Sequence, residues 1–450
     1  MKVKPEIEIR IPDGVADALR GIVASATDRE SVGFALVSHT WSGRKALVLV
    51  RKVLSLAEAA YIPSRDHGAR WRGGAMVPIL NEALSDSLGI MIFHTHDHAG
   101  LVRLSDDDRR SACELLPVFQ NLMPARPHGS VVFGKDHAAG VVLLPGWTCY
   151  REDLKIRWIA KTLAEFTSAD AGLTKQNTEG IYDRQKLLIG DHGQQHLRQA
   201  KVAVVGLGGG GSHVVQQLAH VGIGEIIGID SDRAEATNRS RLIGMGWLDD
   251  IFRNRKTKIM ARMVRRISRN VRFTQVPWPV PDQRALDELK RADIIVGCLD
   301  TLHARADVQE IAWRYLIPYI DIGLLIQTSD GGVTIGGNVA TFIPGSFCAW
   351  CIDFLSEAKL SAETGGRPRS YLKGGSKQAQ VVSFNGQLAS QAVNEVLQLL
   401  TGFAPLGPEL NIKKFNGLDG TLELWAVKKN PRCTSCQGVL SAGDAIWQTI

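Results

Sequence analysis

No apolar signal segment opens this chain of 450 residues, and no uninterrupted apolar run along it is long enough to span a bilayer. The reading is therefore a cytoplasmic protein with no membrane partner. Internal repeats and low-complexity tracts are also absent, which excludes a repeat architecture. Long blocks of like charge are missing too. The formal charge of +7 comes from scattered Lys and Arg, with short clusters RNRKTK from Arg253 and RMVRRISRN from Arg262. Such clusters are usually a solvated helix face, so a phosphate-bearing or acidic partner is expected and nucleic acid is not. Cysteine is scarce at seven residues, and four of these form two CxxC pairs. In a reducing compartment that pattern argues for metal or redox work rather than disulfides. An apolar fraction of 44% over this length is enough for two or three domains with real cores.

What is present divides the chain. Residues 1–150 alternate short apolar runs with turn residues: strands are expected at VGFALVS, KALVLVRKVLSL, IMIFH and GSVVFG, and a helix around Val77 to Leu88. This is a mixed α+β domain. Its chemistry lies in GIMIFHTHDHAGLVRLSDDD, where His94 and His96 stand two apart on a strand and share one face, as two ligands of one metal must. Ser105 and Asp108 follow at i and i+3, where a helix start would bring the carboxylate back to the histidines. Asp106 and Asp107 are alternatives to Asp108 as the ligand. Two histidines and a carboxylate with an open fourth position make a catalytic zinc set, and Glu30, opening the ESVGFALVS strand, would be its general base.

Residues 151–177 show apolar residues at helical spacing and then a polar stretch, and are expected to form a connecting helix and linker. Residues 178–450 read as a doubly wound α/β domain. Its first βαβ unit is KVAVVGLGGGGSHVVQQLAHVGIGEIIGIDSD, in which Gly206, Gly208, Gly209 and Gly211 let backbone N–H groups approach a phosphate at a helix N-terminus. Asp230, Asp232, Asn238 and Arg241 all fall in the connection after the second strand, which suits a triphosphate better than a dinucleotide. Lys258 follows on an amphipathic helix. Asp300 ends a buried strand at the carboxyl edge of the sheet, where a carboxylate suits Mg²⁺. Cys348, Cys351, Cys433 and Cys436 have the spacing of a structural Cys₄ zinc site. Cys113, Cys149 and Cys298 stand singly in apolar surroundings and are expected to be packing residues. The helix ending at Gly402 is expected to be core or dimer surface.

The early Glu, HxH and SxxD of the first domain resemble the JAB/JAMM (MPN+) metalloprotease family. That resemblance implies zinc on His94, His96 and Asp108, proton transfer by Glu30, oxyanion stabilisation by Ser105, and cleavage after the C-terminus of a ubiquitin-like protein. From about Ile181 onward the chain resembles the ThiF/MoeB/ubiquitin-activating-enzyme superfamily, through YxRQ at Tyr182, Arg184 and Gln185, the glycine loop, DxDxxxxxNxxR, Lys258, Cys298 with Asp300, and both CxxC pairs. That resemblance implies a Rossmann-like fold in a homodimer. Asp230 would hold the ATP ribose; Asn238, Arg241 and Lys258 the phosphates; Asp300 the Mg²⁺; and Arg184 would reach the partner subunit's ATP.

The expected function is adenylation of the C-terminal carboxylate of a ubiquitin-like or sulfur-carrier β-grasp protein, coupled to its zinc-dependent processing. A bacterial conjugation pathway, by analogy one in phage defence, is the expected setting. The rivals are sulfur-carrier activation in biosynthesis and an inactive binding or regulatory protein. No cysteine lies between Cys351 and Cys433, so the adenylate is expected to pass directly to an external acceptor, a conjugating enzyme or a sulfur donor.

Overall fold

The computed structural model describes residues 5–24, 32–62, 70–95, 102–134, 137–147, 150, 152, 154–167, 180–329, 332–365, 379–404 and 410–444. The first part runs β1 (Glu6–Pro12), α1 (Val15–Ala24), β2 (Val32–Ser42), β3 (Lys45–Ser55), the short pair β4 (Tyr61–Ile62) and β5 (Arg70–Trp71), α2 (Val77–Ser85), β6 (Gly89–Thr95), α3 (Asp106–Leu122), β7 (His128–Phe133), β8 (Ala138–Leu143), β9 (Leu154–Ile159) and β10 (Ala164–Thr167). Eight of these strands form one mixed sheet in the order β10-β9-β1-β3-β2-β6-β7-β8. Period-two alternation decides what each face does. One face carries Ile7, Ile9, Val48, Val50, Ile156 and Trp158 and packs on Ala16 and Leu19 of α1. On the other, the β2-β6-β7-β8 half is covered by α2 and α3 through Ile79, Ala83, Leu116 and Phe119.

The remaining part of that second face, on β9-β1-β3, lies against the second domain. Glu8 and Arg10 pair in register with Leu47 and Leu49 on one side and with Lys155 and Arg157 on the other, so an otherwise apolar sheet turns a charged stripe outward. Leu47, Leu49 and Ile159 join the core of the second domain. Arg157 is buried with its guanidinium 2.5 Å from Asp293 and 2.7 Å from Glu165, and Arg10 donates to the Tyr315 carbonyl at 2.8 Å. Burial alone would raise the Glu8 carboxyl, but Arg157, Arg10 and Lys45 hold it well below the ordinary carboxylate range. The segment 439–444 crosses the same seam: Ser441 donates to the Val50 carbonyl at 2.7 Å, and its own N–H is bonded to Trp313.

The connecting helix expected within 151–177 is not what forms. Residues 154–167 make β9 and β10, with β9 parallel to β1 and β10 antiparallel to β9. In LKIRWI the apolar Leu154, Ile156 and Trp158 alternate with Lys155 and Arg157, and Arg157 is buried at the seam while Lys155 is half-buried. Residues 168–179 lie outside the described residues.

The second part runs α4 (Asp183–Gln199), β11 (Lys201–Val205), α5 (Gly209–Val221), β12 (Glu225–Ile229), α6 (Trp247–Ile251), α7 (Lys256–Ile267), β13 (Arg272–Val276), α8 (Gln283–Leu289), β14 (Ile294–Gly297), α9 (Leu302–Arg314), β15 (Tyr319–Ser329), β16 (Gly332–Phe342), α10 (Glu357–Thr364), α11 (Val382–Thr401), β17 (Leu410–Asn416), β18 (Thr421–Ala426) and α12 (Thr434–Gly438). Its sheet has the order β13-β12-β11-β14-β15-β16-β17-β18. The strands from β13 to β15 are parallel and the last three join antiparallel. Strand order reverses between β11 and β14, and an open α/β sheet places its ligand crevice at that switch. Helix α11 is core, as expected, with Leu388, Ala392, Val396 and Leu399 buried. Among the described residues, no helix is long and apolar enough to cross a membrane.

Candidate functional site

The glycine loop leaves β11 at the switch point. Gly206 has φ +88°, and a Cβ there would stand 2.5 Å from the Cys298 carbonyl oxygen, so the turns after β11 and β14 touch. A Cβ on Gly211 would lie 1.9 Å from the Gly206 oxygen, which ties the first turn of α5 to the loop. Gly208 meets nothing within 4 Å, so the helix N-terminus opens onto free space there. An α5 N-terminus with unblocked N–H groups and a positive dipole end fits a phosphate.

Asp230, just past β12, faces this loop. Its Oδ2 accepts the Leu207 N–H at 2.7 Å and its Oδ1 the Asp232 N–H at 2.8 Å. Burial pushes the Asp230 carboxyl up, and the Lys256 ammonium, 3.5 Å away, opposes the rise. Lys256 also reaches Asp232 at 2.7 Å. The sequence pattern singled out Lys258, whose Nζ is exposed and donates to Asn254 at 3.3 Å. Lys256 was legible only as one member of a basic cluster. Asn238 closes a 3₁₀ turn, its Oδ1 accepting from Glu235 at 3.1 Å, and Arg241 donates to the Thr237 carbonyl at 2.8 Å. Asp300 is exposed beyond the end of β14.

In the YxRQ motif, Tyr182 is buried beneath Gly222 and Gln185 donates to the Val221 carbonyl at 2.9 Å, which leaves Arg184 as the exposed member. Helix α4 is broken at Gly190, where φ is +70°. Leu187 and Leu188 on α4, and Trp247, Ile251 and Phe252 at α6, are exposed apolar side chains.

The four cysteines come together. Their ligand atoms all lie within 4.8 Å of one another, with Sγ–Sγ distances of 3.8 Å for Cys348–Cys351, 3.6 Å for Cys348–Cys433 and 3.5 Å for Cys351–Cys436. A zinc–sulfur tetrahedron has edges of about 3.8 Å, so the cluster fits a structural zinc ion. Cys298 is half-buried rather than buried, and desolvation raises its thiol; Cys149 lies outside the described residues. Cys113 departs from the expectation of burial. It is exposed on α3, one position around from the inward-facing Ala112 and Leu116.

In the first domain His94 ends β6, and its Nε2 lies 2.9 Å from Asp108 Oδ1. Ser105 caps α3: its hydroxyl donates to Asp108 at 2.7 Å and accepts the Asp108 N–H at 3.1 Å. This capping box turns Asp108 toward β6, whereas Asp106 is exposed and Asp107 pairs with Arg110 at the surface. Glu30 and His96 lie outside the described residues.

The model of the ThiF family matches residues 182–436, more than half of the chain, and the chain belongs to that family. It is similar to the sulfur carrier protein ThiS adenylyltransferase of Escherichia coli, 25% identical over 57% of this chain and 94% of that protein. A sulfur carrier protein adenylyltransferase of Thermus thermophilus is 26% identical over 57% of this chain and 89% of that one. The SAMP-activating enzyme E1 of Haloferax volcanii is 27% identical over 36% of this chain and 57% of its own length.

Proposed function

We propose that the second domain adenylates the C-terminal carboxylate of a small sulfur-carrier or ubiquitin-like β-grasp protein with ATP. One observation carries the reading most of the way: the Asp230 carboxylate is locked onto the glycine loop at the sheet's switch point, beside the turn that holds Asp300. The names of the relatives give the substrate class.

In this reading the ribose hydroxyls of ATP take the outward side of Asp230, and the phosphates lie along the N-terminus of α5. Asn238, Arg241 and Lys258 turn from their present backbone and side-chain partners to the phosphates. Arg184 reaches the nucleotide of the partner subunit in a homodimer, through the surface bearing Leu187 and Leu188. The carboxylate oxygen of the carrier attacks the α-phosphorus, an acyl–phosphate bond forms, the α–β bridge breaks and pyrophosphate leaves. Both reactants are anionic, so cationic side chains around the phosphates lower the barrier. Asp300 would hold Mg²⁺, which adds neutralising charge when bound.

The four cysteines would hold zinc as a structural element. With no cysteine between Cys351 and Cys433, the acyl group leaves for an external thiol or sulfur donor. The first domain, in the same proposal, is a zinc peptidase that trims the carrier or its conjugates. His94 and Asp108 at 2.9 Å support that part, with His96 completing the ligand set, Glu30 as base and Ser105 at the oxyanion.

The test is ATP–pyrophosphate exchange with a β-grasp protein ending in a free diglycine, encoded beside this chain. Exchange should require the carrier and fall by about 10²–10³-fold in Asp300→Ala. Exchange that persists in that variant overturns the role given to Asp300.

A further inference from the structure

Asp300 belongs to neither the strand before it nor the helix after it, so its position depends on what grips the turn. We propose that Glu363 is a positioning residue for Asp300, holding the β14–α9 turn from one side while Arg305 holds it from the other; this rests on the reading of Asp300 given above.

The first N–H groups of a helix have no partner within it and are usually met by a local cap. At α9 the local cap, Thr301, accepts only the Ala304 N–H, at 3.4 Å. The two N–H groups nearest Asp300 are met instead by a carboxylate 61 positions along the chain, on α10. Glu363 Oε1 accepts the Leu302 N–H at 2.6 Å, and Oε2 accepts the His303 N–H at 3.1 Å. His303 Nδ1 lies 2.7 Å from that second oxygen. Both oxygens of Glu363 are therefore engaged, and Asp300 is the carboxylate left facing outward.

On the other side of Asp300, the Leu299 carbonyl accepts from Arg305 at 2.5 Å. The same guanidinium nitrogen reaches the Ile322 carbonyl at 3.1 Å, and the other terminal nitrogen bonds Asp321, which is fully buried. Asp321 in turn accepts the Tyr319 hydroxyl at 2.5 Å. The residue before Asp300 is thus moored to β15 and the residues after it to α10. A buried ion pair is weak evidence for stability, because desolvation offsets the attraction. What this arrangement determines is geometry. Carboxylates and amides that orient a metal-binding group set its affinity by about 10–100-fold.

The experiment measures carrier-dependent ATP–pyrophosphate exchange against Mg²⁺ concentration, with thermal unfolding followed in parallel. Glu363→Ala should raise the half-saturating Mg²⁺ and lower kcat, each by about tenfold, with the KM for ATP at saturating Mg²⁺ changed by less than about twofold. Glu363→Gln keeps an oxygen for the Leu302 N–H but turns an amide donor toward the His303 N–H, and should recover only part of the loss. If the alanine variant does not fold, His303→Ala carries the test: it removes one of the three contacts, keeps both backbone bonds, and should give an intermediate rise in the Mg²⁺ requirement. Folded Glu363→Ala or His303→Ala protein with an unchanged Mg²⁺ response overturns the proposal, even if its melting temperature is lower. Asp300→Ala separates the two failures. If that variant keeps wild-type exchange, the role of Asp300 fails; if it is inactive while the Glu363 variants match wild type, only the positioning role fails.

Discussion

The glycine-loop pocket of the second domain and the His94–Asp108 pair of the first are built on opposite plans. The pocket is made of backbone: Gly206 against the Cys298 carbonyl, Gly211 against Gly206, and Asp230 bonded to the Leu207 N–H. A backbone site dictates residue type at many positions, because each close approach forbids a side chain. The His94–Asp108 pair is made of side chains at the ends of β6 and α3, on a frame any apolar strand and capped helix could supply. Such a site dictates only its ligands. The family match, over residues 182–436, covers the backbone-built site.

The sharpest way to break this contrast is a single methyl group. Gly211→Ala would place its Cβ 1.9 Å from the Gly206 oxygen. The loop must then move, and an error of about 1 Å at a reacting group costs on the order of 10²-fold. Exchange should fall at least that far, and exchange at wild-type level would show that the loop is not the backbone cradle described. The matching change at the other site, His94→Ala, should leave exchange unaltered.

The same contrast governs how much could be read from sequence. The βαβ unit, both CxxC pairs and the strands VGFALVS and IMIFH stand where their patterns place them. Lys256 beside Asp230 was hidden, because a lysine two positions from Lys258 in a basic cluster carries no mark of which one turns inward. The seam between the domains was hidden for a related reason. The spacing of the apolar residues in the stretch 151–177 reads as a helix, and Asp293, which pairs with the buried Arg157, stands 136 positions away. Glu363 lies 61 positions from the N–H group it caps, beyond the reach of any local rule.

A second, smaller effect would sharpen the comparison through metal content. If both sites fill as proposed, the purified chain should carry about two zinc ions. His94→Ala should carry about one and still support exchange, since the ion that remains is the one among Cys348, Cys351, Cys433 and Cys436. An unchanged zinc count would remove the ligand role of His94. Loss of both ions would instead show that the first domain's site and the cysteine cluster are not independent.

The smallest effect concerns another histidine of the first domain, one that works as structure. His128, on β7, is fully buried. Its Nδ1 accepts the Ile90 N–H at 3.2 Å, so the ring proton sits on Nε2 and points to the Met123 carbonyl at 3.1 Å. A second proton would set Nδ1–H against the Ile90 N–H, and burial, partly countered by the Met123 bond, lowers the ring's pKa to about 4. The unfolded chain binds that proton near the ordinary value of about 6.5. Between those values the unfolded state holds more protons, so stability rises with pH there. The contribution is complete above about pH 6.5 and is lost as pH falls toward 4, on the order of 3 kcal/mol in all. In the second domain Asp249, paired with Arg262, has its carboxyl lowered to about 2, so its contribution is lost only below the range in which His128 acts. Urea unfolding of the wild type at pH 7 and pH 5 should therefore show a loss that His128→Asn, which keeps an acceptor but does not titrate, reduces, the remainder coming from His39, His196 and His213, whose ring pKa values burial also lowers. An equal loss in that variant would place the acid sensitivity elsewhere and leave His128 as packing alone.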